Sequence, residues 1–175
     1  MTATVTPITA PLKKRSNRQI TEFACRQVKH FILESPVDDY VVSEKNTTVR
    51  YVNDGSLRVI TVLLYGEEIL RLTLSGQTPL AVTVSFTSFF DSYGQPTTTT
   101  SERLNGLLDC LGWLGILPHG VRLFRGEHST TYLGRGDEKV AVGRGLFQSV
   151  YIKPNPEQLN FAGFSTECPS GEGQA

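Results

Sequence analysis

The sequence predicts an α+β protein with an N-terminal helix, an antiparallel β-sheet of about six to eight strands, and one helix packed on that sheet. Three observations carry this expectation. Apolar side chains recur at steps of three and four between residues 16 and 35, then at steps of two from residue 40 to 86. The block Thr97-Thr98-Thr99-Thr100-Ser101-Glu102-Arg103-Leu104-Asn105 then closes the strand-patterned region and opens a leucine-spaced helix. Four consecutive β-branched residues favour extended backbone. A Thr or Ser followed three positions later by Glu, Asn or Gln reads as a helix N-cap.

Taken in order, residues 1–15 read as a disordered basic arm. They mix Thr, Pro and Ala and end in Lys13-Lys14-Arg15. Ser16 caps the helix that follows. Ile20, Phe23, Ala24, Val28, Phe31 and Ile32 make its apolar face, and Arg18, Arg26 and Lys29 lie opposite. Ser35-Pro36 ends it, because the residue before proline avoids the α region.

Tyr40–Val42 can start a strand, and Thr47–Asn53, Leu57–Tyr65, Ile69–Leu74 and Leu80–Phe86 are expected to make a meander of about four strands. Asn53-Asp54-Gly55 is the strongest hairpin signal, since these residues tolerate positive φ. Leu104, Leu107, Leu108, Leu111 and Leu114 give helical spacing to about residues 101–115, and Pro118 ends that helix. Its three glycines weaken it in isolation by about 1 kcal/mol each, so it depends on packing. A second β region follows at Val121–Arg125, Thr130–Leu133, Lys139–Val142 and Leu146–Ile152. The domain is therefore expected to span 16–153, with 154–175 a flexible tail in which only Phe161 and Phe164 invite docking.

Composition limits the function classes. The 175 residues support one sizeable core. The 17 basic residues balance 17 acidic ones, which argues against indiscriminate coating of nucleic acid. Three dispersed cysteines, Cys25, Cys110 and Cys168, form no zinc motif and fit a reducing cytoplasm better than a disulfide framework. No signal-peptide pattern is present, and no apolar stretch approaches the roughly 20 residues of a membrane-spanning helix, so no membrane partner is expected.

The catalytic candidates are weak. Asp38-Asp39 and Glu67-Glu68 read as solvated turn residues, because neighbours on a strand face opposite ways. Cys110 with His119 or His128 would be a nucleophile pair without a motif, and Cys110 reads as a small buried apolar residue. Gly134-Arg135-Gly136 and Gly143-Arg144-Gly145 continue into neither a dinucleotide fingerprint nor a P-loop. No cofactor and no metal are expected.

Two basic sets are the better lead. Lys13, Lys14, Arg15, Arg18, Arg26 and Lys29 occupy the arm and one helix face, with only Glu22 opposing. Arg122, Arg125, Arg135 and Arg144 lie in the late β region. Guanidinium forks suit phosphate and carboxylate partners alike. Both sets are expected to bind nucleic acid or an acidic protein surface.

From Asn46 to about Gly126 the chain resembles small uncharacterised proteins borne by phages and plasmids. The resemblance is carried by Asn46-Thr47-Thr48-Val49, Asn53-Asp54-Gly55, Tyr65-Gly66-Glu67-Glu68-Ile69, the Thr-Thr-x-x-Arg-Leu-Asn element at Thr99–Asn105, and Arg122-Leu123-Phe124. It implies a mobile-element setting and no catalytic residues. The first expectation is a non-enzymatic binding protein that contacts a host protein or nucleoprotein complex, as an anti-CRISPR-like inhibitor of host defence does. Direct nucleic-acid binding, a virion assembly role and a small Cys/His enzyme are the alternatives.

Overall fold

The structure, a computed structural model, describes residues 16–86, 91, 95–126, 129–143 and 149–165. Helix α1 spans Asn17–Glu34. Its capping box is complete: the Ser16 hydroxyl accepts from the Gln19 amide, and the Gln19 side chain accepts from the Ser16 amide. Ser35 ends the helix in the left-handed region at φ 47°, ahead of Pro36.

Five strands then form a continuous antiparallel meander: β1 (Tyr40–Glu44), β2 (Thr47–Asn53), β3 (Leu57–Leu64), β4 (Glu67–Ser75) and β5 (Thr78–Ser85). The β3–β4 turn places Tyr65 and Gly66 at φ 51° and 88°, the double positive φ that matches the twist of the flanking strands. At the hairpin signal, the Asp54 carboxylate accepts from the Ser56 and Leu57 amides and closes the loop.

Helix α2 (Thr98–Trp113) follows, and then a small antiparallel sheet of β6 (Arg122–Arg125), β7 (Thr131–Arg135) and β8 (Glu138–Val142). The chain returns as β9 (Ser149–Lys153), which pairs with β5, and β10 (Asn160–Ser165). The large sheet is seven-stranded, in the order β1-β2-β3-β4-β5-β9-β10.

The period-two pattern explains the core. Val49, Tyr51, Ile60, Val62, Leu64, Leu70, Leu72, Leu74, Val82, Val84, Val150 and Ile152 share one face of the large sheet and are buried. Ala24, Val28, Phe31 and Ile32 of α1 and Leu104, Leu107, Leu108 and Leu111 of α2 belong to the same core. Each fully buried large side chain contributes roughly 1.5–3 kcal/mol before entropy is counted. Phe31 stacks on Tyr51 with ring centroids 5.0 Å apart. Buried Arg58 holds the C-terminal end of α1 by donating to the Phe31 carbonyl and to the Ser35 hydroxyl, and it also reaches the Gly76 carbonyl.

Four expectations change. The Thr run is not extended: Thr97 is the N-cap and Thr98–Thr100 form the first turn of α2, because the Thr97 hydroxyl satisfies the Thr100 amide. The segment near residue 150 leaves the late β region and joins the large sheet. The sheet also continues past 153, since β10 pairs with β9 and Phe161 packs against the core. Glu67 and Glu68 both lie in β4 rather than in a turn, and Glu68 is half-buried against Arg71 at 2.6 Å.

Candidate functional site

Helices α1 and α2 run parallel, and a seam of paired residues joins them. Asn17 donates to Glu102 at 3.2 Å. One turn on, Thr21 faces Gly106, where an added Cβ would lie 2.2 Å from Thr21 Cγ2. A further turn on, Cys25 faces Cys110: the Cys25 thiol donates to the Gly106 carbonyl at 3.3 Å, and the Cys110 thiol lies 3.8 Å from the Cys25 carbonyl. Each pair is 85 positions apart in sequence, so steps of four keep pace on the two helices.

Beneath the seam lies Arg103, only 1% exposed. Its Nη1 donates to the Asn17 carbonyl at 2.9 Å and to the Thr21 hydroxyl at 2.6 Å. Its Nε and Nη2 are buried with no hydrogen-bond partner among the described residues. Burial lowers its pKa from the usual guanidinium value. On the other side of α2, the Asn105 amide donates to the Leu123 carbonyl and accepts from the Leu123 amide, at 3.2 and 2.7 Å. Asn105 thus ties the small sheet to the helix.

Above the seam the helices leave an open groove. Arg18, Glu22 and Arg26 line its α1 lip; Glu102, Asp109 and Trp113 line its α2 lip. Trp113 is 81% exposed, and the His119 ring packs edge-on against it at 5.2 Å. Cys25 and Cys110, both half-buried, form the floor. The neighbouring Cys110 thiol, together with burial, raises the Cys25 pKa, while the neighbouring Cys25 thiol and the positive charge of Lys29 lower that of Cys110.

Among the described residues, the basic side chains of the two sets line different grooves. Arg18, Arg26 and Lys29 are exposed on α1, where Arg18 pairs with Glu22 at 3.0 Å. Arg125 pairs with Asp91 at 3.6 Å, and Arg135 with Glu138 at 3.1 Å; Arg122 is exposed on β6. Arg26 lines the α1–α2 groove, and Arg125 lines a smaller one that adjoins it at Glu102 and Asn105. The α1 face is also not opposed by Glu22 alone, because folding brings Glu102 and Asp109 beside it. Lys13, Lys14, Arg15, Arg144 and His128 lie outside the described residues. Cys110 faces α1 rather than His119, and it is a groove residue rather than a core one.

Sequence reasoning quoted Arg103 and Asn105 only within the Thr-Thr-x-x-Arg-Leu-Asn element and gave neither them nor Trp113 a place in the site. Thr100 and Arg103 continue the buried stripe of Leu104, Leu107, Leu108 and Leu111, and that phase was the available signal.

No protein-family model, no curated protein and no solved structure matches this chain.

Proposed function

We propose that this chain is a non-enzymatic binding protein that grips a partner protein through the α1–α2 groove. The observation that carries the proposal is the exposed Trp113, set at the end of a groove with a basic α1 lip and a more acidic α2 lip. Exposed Trp beside Arg is the composition that dominates binding energy at protein interfaces. Glu22, Glu102 and Asp109 in the same groove would repel phosphate, which favours a protein over nucleic acid. The partner has acidic groups for Arg26 and Lys29 and an apolar pocket for the Trp113 indole. A mobile-element setting, and with it a host protein or nucleoprotein complex as the partner, rests on the resemblance carried by Asn46 to Gly126.

The test is affinity capture from host lysate with the tagged chain, with and without nuclease, beside Trp113→Ala and Arg26→Glu/Lys29→Glu variants. Support is a protein recovered under both conditions by the wild type and lost by both variants. Loss of every partner after nuclease would move the function to nucleic acid. A partner kept by both variants would move the interface away from the groove.

A further inference from the structure

We propose that Cys25 and Cys110 form a dithiol exchange site that takes low-molecular-weight disulfides, with Cys110 as the attacking thiol and Cys25 as the resolving one. The proposal stands on geometry and needs no protein partner. The residues sit directly opposite each other across a seam held close by Gly106, one helical turn before them. Each thiol reaches a backbone carbonyl of the opposite helix, at 3.3 and 3.8 Å, so both sulfurs point into the seam that a disulfide between the helices would bridge. Both thiols line a groove open to solvent, so a small reagent reaches them. Cys110 lies outside the core cluster, and Cys25 packs against its edge while still lining the groove.

The roles are unequal. The Cys25 thiol is turned to the Gly106 carbonyl, which holds its proton, whereas Cys110 lies in the field of Lys29, so Cys110 is the sulfur that more readily bears negative charge. Its thiolate attacks one sulfur of the reagent RSSR. The S–S bond breaks, RS⁻ leaves and is protonated, and Cys110 carries a mixed disulfide. The negative charge on Cys110 that opposed a second thiolate is then gone. Cys25 loses its proton to water, attacks Cys110 Sγ and releases the second RS⁻, which is protonated in turn. In sum, two protein thiols are oxidised to one disulfide, and RSSR is reduced to two RSH.

The reduced chain, carrying Cys168→Ser so that only two thiols remain, is incubated with oxidised glutathione. It is then blocked with a maleimide and weighed intact. The expected product is a monomer lighter by two hydrogens that takes up no maleimide. Closing a loop of 85 positions should also raise its Tm by about 10 °C over the reduced form. Adding Cys25→Ser should trap one glutathione on Cys110, whereas adding Cys110→Ser should slow glutathione uptake by about tenfold or more. Two maleimides on the treated chain, or a disulfide between chains, would overturn the proposal. Equal uptake rates in the two variants would overturn the assignment of roles.

Discussion

Gly106 lies so close to Thr21 that a single added methyl group would meet Thr21 Cγ2 at 2.2 Å. This contact sets how near α1 and α2 come, and everything along the seam inherits the spacing. Asn17 reaches Glu102 and Arg103 reaches Thr21 only because the axes are this close. Gly106 looks like a defect when α2 is considered alone, and the packed structure turns it into the requirement that aligns the helices.

Gly106→Ala should therefore destabilise the protein, although Ala is the better helix former by about 1 kcal/mol. The Thr21 side chain is β-branched and has few rotamers with which to yield. A net loss of about 1–3 kcal/mol in urea unfolding is expected. Thr21→Ser removes Cγ2 and keeps the hydroxyl that accepts from Arg103. In that background Gly106→Ala should be neutral or stabilising. Additive losses across the double-mutant cycle would show that the two residues do not touch in solution.

Asn105 acts towards Leu123 as a strand partner would, since its amide pairs with both the N–H and the C=O of that residue. Asn105→Ala leaves both backbone groups half-buried and unpaired, at a cost of about 1–3 kcal/mol. The loss should be local before it is global. Amide exchange at Leu123 should quicken well before that of Ile60 or Leu72, which sit in the middle of the large sheet. Unchanged exchange at Leu123 would mean that β6 is held to α2 by apolar contact alone.

Periodicity made the helices and the meander legible, because one buried face per element leaves a phase that Val49, Tyr51, Ile60 and Val62 write plainly. The Asp54 turn was legible for a similar local reason. The β5–β9 pairing was not, since β9 follows α2 and a separate sheet, and no local signal encodes a partner some 70 residues away. The groove was half legible. Arg26 and Lys29 announced a charged α1 face, but Asp109 and Trp113 join it only when two helices far apart in sequence lie parallel. Thr98–Thr100 show the reverse case, where capping by Thr97 overrides the extended preference of β-branched residues.

Arg103 offers the sharpest test of the packing beneath the seam. Two of its nitrogens have no hydrogen-bond partner among the described residues, and leaving a buried charged donor unpaired is costly. Arg103→Met fills the same volume without that cost. The bonds it removes leave nothing orphaned, because the Thr21 hydroxyl still donates to the Asn17 carbonyl at 2.9 Å. Met should therefore stay within about 1 kcal/mol of the wild type or exceed it. Arg103→Ala opens a cavity under Leu104 and Leu107 and should lose about 2–5 kcal/mol. The Met-to-Ala difference, read from urea unfolding midpoints at a common m-value, separates volume from charge. If Met instead falls as far as Ala, the Nε–Nη2 edge is occupied in solution. That edge is the fork that takes both oxygens of a carboxylate or phosphate, so a water or a bound anion would then have to be sought there.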